Sequence, residues 1–173
     1  AVSVPFNGGS FRLHNFYVPA GGDEPDRTIN EKFGHKLDFM AEMKAMLGGD
    51  DASRPGVVVG DLNVAPYEHD VWSHKQLLKI VSHTPIEVEH LAAAQEAGAW
   101  VDITRKDLPD GRLYSWWSYR SPDWDAADKG RRLDHVWATP DLAESSGGSR
   151  ILRRVRGWEG PSDHAPVLAE FTP

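Results

Sequence analysis

The chain has 173 residues, 40% of them hydrophobic, and a formal net charge of −7, which suits one domain, or part of a larger one, and excludes a disordered polymer. It contains no cysteine, so a disulfide framework and a thiolate metal site are excluded, and a cytoplasmic, bacterial-type intracellular location is expected. The acidic balance speaks against a general basic coat for nucleic acid, but Lys129, Arg131 and Arg132, and again Arg150, Arg153, Arg154 and Arg156, bunch closely enough for a local anion-binding surface.

"VSVPF", "NGGS" and "FRLHNFYV" read as strand, Gly-rich turn and strand. After a Gly/Asp/Pro loop over 20–30, residues 31–47 place Phe33, Leu37, Met40, Met43 and Leu47 at steps of three and four, the pattern of an amphipathic helix closed by Gly48-Gly49. "GVVVGDLN" (56–63) begins as a wholly apolar strand, central in its sheet. Helices are predicted over 72–81 and over 86–98, the second starting after Pro85 and ending at Gly98. From residue 100 the pattern turns to strands, "WVDIT", "LYSWWSY", "RRLDHVWA", "SRILRRVRGW" and "APVLAEF", with a Ser/Gly-rich turn at 145–149. No apolar run approaches the roughly 20 residues of a membrane helix. The sum is a single α/β (α+β) domain over 1–173, with a mixed, mostly antiparallel sheet, flanking helices and polar motifs at strand ends.

Those motifs carry the chemistry. Asp61 and Asn63 follow the apolar "GVVV", and two residues apart in a strand they would face one site together. Asp134 interrupts "GRRLDHVWA", where an ordinary strand Asp pairing with an Arg is the plain explanation. Asp163 and His164 form an Asp-His pair between two prolines in "PSDHAP". Tyr17 ends a strand ahead of the Gly-rich "PAGG", and alone would be a core or rim aromatic. Hard cations such as Mg²⁺ take oxygen ligands, which Asp61 and Asp163 could supply. A carboxylate near a metal can take a proton from water, and Asn, His and Tyr can donate to phosphate oxygens. Together these groups are a kit for hydrolysing a phosphodiester. The remaining histidines (His14, His35, His69, His74, His83, His90, His135) lack ligand spacing and are expected to pack.

In order, "YVPAGG", "GDLNVAP", "YSWWSYR", "GRRLDH" and "PSDHAP" resemble the exodeoxyribonuclease III type of AP endonuclease within the endonuclease/exonuclease/phosphatase superfamily, from about residue 11 onward. "GDLN" and "SDH" alone would equally suit DNase I-like nucleases, sphingomyelinases, inositol phosphatases or deadenylases. "WWSYR" and "GRRLDH" point to the DNA-repair branch. The resemblance implies a four-layered α/β sandwich of the DNase I-like type, a Mg²⁺ or Mn²⁺ cofactor, and duplex DNA with abasic sites or 3′ ends as partner. By the same resemblance Asp61 activates water or exchanges a proton with the leaving group, and Asn63 positions water and phosphate. His164 donates to a phosphate oxygen with its tautomer held by Asp134, and Tyr17 bonds the phosphate. The implied metal set is Asp61, Asn63, Asp163 and His164. Trp116, with Trp117 as a second candidate, becomes the aromatic wall for a flipped-out sugar or terminal nucleotide, and Arg120 and Arg131 become DNA-backbone contacts.

The family also has an N-terminal half bearing an Asn and a metal-binding Glu, which this sequence does not show, so the chain reads as the C-terminal portion of such a domain. An exposed sheet face of several hundred Å² would cost on the order of 10 kcal/mol at about 25 cal/mol per Å². A homo-oligomer through that face is therefore expected, with an impaired site. Two competing readings are a phosphatase or phosphodiesterase acting on a small or lipid phosphoester, and a catalytically dead interaction module.

Overall fold

Asn7 and Gly8 take left-handed backbone (φ 51° and 75°), the geometry that a two-residue hairpin turn demands. They join strands Val2–Phe6 and Gly9–Tyr17 in antiparallel register. The computed structural model describes residues 1–49 and 54–172. In chain order its elements are β1 (Val2–Phe6), β2 (Gly9–Tyr17), α1 (Glu31–Leu47), β3 (Gly56–Asp61), α2 (His74–Leu77), α3 (Pro85–Ala97), β4 (Val101–Asp102), α4 (Ile103–Asp107), β5 (Trp116–Trp117), α5 (Trp124–Ala127), β6 (Gly130–Arg131), β7 (Asp134–Ala138), α6 (Pro140–Ala143), β8 (Ser146–Ile151) and β9 (Val167–Phe171).

The main sheet has the order β1-β2-β3-β7-β4. Among the described residues only β2 and β3 run parallel, and that pairing needs a crossover, which α1 supplies. Asn30 caps α1 by accepting from the Lys32 amide (3.1 Å), and Phe33, Leu37, Met40, Met43 and Leu47 turn inward as the spacing predicts. They pack with Leu91 of α3 against Val58 and Trp137 on one face of the sheet. The other face carries Val57, Val136, Ala138, Ile103 and Leu142, with Phe11, Leu13, Val59, Val167 and Phe171 only half-buried around them. The mixed α/β architecture is as expected. No helix among the described residues is long and apolar enough to cross a membrane.

Several local readings are corrected. The helix over 72–81 shrinks to α2, because Val71 bridges Arg131 and the Trp72 amide donates to the Gly130 carbonyl (3.2 Å), holding 71–72 extended. "WVDIT" splits after two strand residues, since the Asp102 carboxylate accepts from the Arg105 amide (3.1 Å) and starts α4. "LYSWWSY" forms only β5, and "SRILRRVRGW" leaves its strand at Leu152 for a 3-10 turn over Arg153–Gly157. The Ser/Gly run at 145–149 belongs largely to β8, where a bulge at Ser146/Gly148 absorbs it.

Part of each basic bunch is tied up within the fold. Arg132 is fully buried, making two bonds to Asp70 (2.9 and 2.8 Å) and an ion pair with Asp102 (2.8 Å). Arg153 pairs with Asp125 and Asp128, Arg150 with Glu170, and Arg156 is buried over Tyr119 and Trp124. Lys129, Arg150 and Arg154 remain exposed.

Candidate active site

Strand register builds the site. Tyr17 of β2 pairs with Asp61 of β3, and Asp61 pairs with Asp134 of β7. Directly paired residues project to the same face, so a phenol and two carboxylates form one row across the end of the sheet. Gly60 permits the close approach that this row needs: its φ is +134°, and a Cβ there would lie 1.9 Å from the Phe16 carbonyl oxygen.

Asn63 reaches the row by another route than the predicted alternation. β3 ends at Asp61, and Asn63 turns back in left-handed backbone, φ 52°, a conformation that Asn tolerates. Its amide N–H donates to Asp61 Oδ1 (3.0 Å), and its side-chain Nδ2 donates to Asp61 Oδ2 (2.9 Å) and to the Val18 carbonyl (2.8 Å). Asn63 therefore aims the Asp61 carboxylate from beneath.

His164 arrives through a bridge to Trp116. Its Nδ1 shares a 2.8 Å hydrogen bond with Asp134 Oδ2, and its Nε2 stands 3.8 Å from Asp61 Oδ2. The fully buried Ser115 hydroxyl donates to Asp134 Oδ2 (2.6 Å) and accepts from the Leu133 and Asp134 amides (3.0 Å each). Asp134 is thus held by a serine and a histidine rather than by an arginine.

Burial and the neighbouring Asp134 charge push Asp61 up to about 6, against the opposing pull of His164 and the Asn63 amide. Burial opposes protonation of His164, but the hydrogen bond and charge of Asp134, with Asp61 and Asp163 behind it, raise its pKa above the ordinary value.

The row opens into a cleft of about 930 Å³. Trp116 lines it, whereas Trp117 is buried in the core against Tyr114 and Trp124. Asp163 also lines the cleft, but its carboxylate accepts from Trp116 Nε1 (2.9 Å), which fixes the indole. Among the described residues the acidic group whose ligand atoms lie within 4.8 Å of one another is Asp61, Asp134 and His164. Arg120 sits exposed at the lip. Arg131 is different: its Nη1 donates to the Val81 carbonyl (3.0 Å) and the Ser82 hydroxyl (2.7 Å), and its guanidinium lies 5.3 Å from the Trp116 ring centre. It is a pinned wall of the cleft, with Lys129 over Trp72 (4.9 Å) beside it.

Sequence reasoning missed Ser115, Trp72 and the buried Lys36. Ser115 had no signal beyond its place in "YSWWSY". Lys36 did, because it falls on the apolar stripe of α1 between Phe33 and Met40.

The sequence profile of the Endonuclease/Exonuclease/phosphatase family matches residues 10–164. The chain belongs to the endonuclease/exonuclease/phosphatase family. It is 30% identical over 170 residues to exodeoxyribonuclease III of Haemophilus influenzae, covering 94% of this chain and 62% of that protein. It is 34% identical over 139 residues to the DNA repair nuclease APEX1 of Danio rerio, covering 79% and 42%. An AP endonuclease from Archaeoglobus fulgidus superposes with a TM-score of 0.85 at 32% identity, covering 92% of this chain and 60% of that one. The chain thus spans about three fifths or less of the length of these relatives.

As a family site, the cluster fits a metal ion by its chemistry. Two carboxylates face each other across paired strands, where like charges repel, and a hard cation would relieve the repulsion that raises Asp61. Without a cation the tension should appear in stability. The folded pKa of Asp61, about 6, lies above the ordinary 3.8, so folding favours its protonated form. That contribution is complete below the ordinary value and is lost as pH rises through the folded one. In chelator-containing buffer, urea unfolding should show wild type losing on the order of 2 kcal/mol relative to Asp61→Asn between about pH 4 and pH 7. A constant difference across that window would contradict the assignment.

Proposed function

We propose that this chain carries the greater part of the catalytic site of an intracellular DNA-repair nuclease, a hydrolase that cleaves phosphodiesters in duplex DNA at abasic sites and at 3′ ends. The observation that carries the reading is the row Tyr17–Asp61–Asp134, closed by His164, at the mouth of a cleft walled by Trp116. The names borne by the Haemophilus influenzae, Danio rerio and Archaeoglobus fulgidus proteins support the same substrate class.

In this reading Asp61, easily protonated and held by Asn63, takes the proton of the attacking water or exchanges one with the leaving group. His164 presents Nε2–H to a phosphate oxygen, while Asp134 accepts from Nδ1–H and fixes the tautomer. The Tyr17 phenol, 71% exposed at the end of β2, donates to the same phosphate. A divalent cation, Mg²⁺ or Mn²⁺, held by the Asp61 and Asp134 carboxylates would supply Lewis-acid stabilisation of the charge that builds on phosphate. Trp116 offers a flat face to an extruded sugar or a terminal nucleotide, and exposed Arg120 meets the DNA backbone.

Incision of an abasic duplex in Mg²⁺ tests the reading. Asp61→Asn should slow cleavage by about 10²–10⁴-fold, and undiminished cleavage would overturn the assigned role. Hydrolysis confined to small or lipid phosphoesters would favour the phosphatase alternative instead.

We also propose that the half-covered sheet face, with Phe11, Leu13, Val59 and Phe171, drives self-association of the chain when it stands alone. Light scattering should then report a dimer or larger species. A stable monomer at high concentration would contradict it.

A further inference from the structure

Lys36 is a lysine with no exposed surface, and so is its partner Glu87 without any. An ammonium in the interior needs strong compensation, and here all three of its donors are used. Lys36 Nζ donates to Glu87 Oε1 (2.5 Å), to the Asn63 carbonyl (2.8 Å) and to the Ala20 carbonyl (3.3 Å). Those acceptors belong to three segments distant in sequence. Ala20 follows the strand that bears Tyr17, Asn63 follows the strand that bears Asp61, and Glu87 opens α3.

Glu87 is held as firmly. Its carboxylate accepts from the Ser82 amide (2.9 Å to each oxygen), the Thr84 amide (3.1 Å) and the Thr84 hydroxyl (2.6 Å). Ser82 in turn receives Arg131, the cleft wall. The stem of Lys36 shapes the "PAGG" loop as well: Gly21 has φ +92°, and a Cβ there would lie 2.9 Å from Lys36 Cδ. One buried ammonium therefore joins the tyrosine loop, the Asp61–Asn63 turn and the segment that pins Arg131.

We propose that Lys36, anchored by Glu87, is a positioning residue for catalysis. It touches no substrate. It clamps the carbonyl of Asn63 in a left-handed turn, and so fixes the Asn63 carboxamide that aims the Asp61 carboxylate. A buried ion pair contributes little net stability compared with a well-packed neutral pair, so positioning is the role that its three-way geometry serves. The inference rests on reading the site as a phosphodiesterase.

The test uses Lys36→Met/Glu87→Gln, which replaces the ion pair by a neutral one while a Gln at 87 can still accept from the turn. The control is Arg105→Met, which removes another largely buried ion pair, to Asp70, that does not touch the row. At a temperature where circular dichroism shows all forms folded, NMR should show the Asn63 side-chain amide protons of the double variant shifted and exchanging faster with water, and unchanged in the control. On an abasic duplex the double variant should lose about 100-fold in kcat, the scale of an ångström-level misplacement, with KM within twofold of wild type. An unchanged Asn63 amide, or equal loss of kcat in variant and control, would overturn the proposal. If the Asn63 amide and kcat respond as expected but the turnover of wild type is confined to small or lipid phosphoesters, the nuclease reading fails and the positioning role stands.

Discussion

The pairing of β2, β3 and β7 in one fixed register is the constraint on which the site depends. A slip of one residue in either pairing would send Asp61 or Asp134 to the opposite face of the sheet. The register is secured by the apolar residues of β3, with Val58 committed to one core cluster and Val57 to the other. It is secured again by Gly60, which alone tolerates the approach of β2 at Phe16. The hydrophobic layers thus set, at a distance, where two carboxylates and a phenol come to rest.

That placement is electrostatically uncomfortable, and the surrounding residues show how it is tolerated. Each carboxylate is given its own donors, Asn63 for Asp61 and Ser115 with His164 for Asp134. The two sets converge without neutralising the row, since the Asp61 carboxylate remains hard to ionise. A site in this condition favours a proton or a cation, the two species that a phosphodiester hydrolase must handle. The rigid strand ends beneath it keep these groups from relaxing apart.

Much of this was legible in the sequence because it follows from short-range rules. The stripe Phe33 to Leu47, the apolar run before Asp61 and the hairpin at Asn7-Gly8 each announce their element. What escaped was set by non-local partners. The Ser/Gly stretch at 146–149 became strand because β9 pairs with it, and Arg131 turned inward because the carbonyl of Val81 and the hydroxyl of Ser82 were waiting there. Asp134 meets the His164 imidazole as the resemblance implied, while the surroundings of Asp163 were set by a similar non-local partner. The indole of Trp116 captures Asp163, and strand pairing puts Asp134 opposite Asp61, neither of which spacing along the chain can express.

The Asp61 and Asp134 carboxylates, with His164 beside them, are the proposed cation site at the end of the sheet. The most direct measurement is titration of the ¹³C,¹⁵N-labelled protein with Mn²⁺ at neutral pH, followed by paramagnetic broadening of side-chain signals. The carboxyl carbons of Asp61 and Asp134 and the imidazole of His164 should broaden together, saturably, before any other acidic residue, and excess Mg²⁺ should restore them. Broadening spread evenly over surface carboxylates, with these three signals sharp, would contradict it.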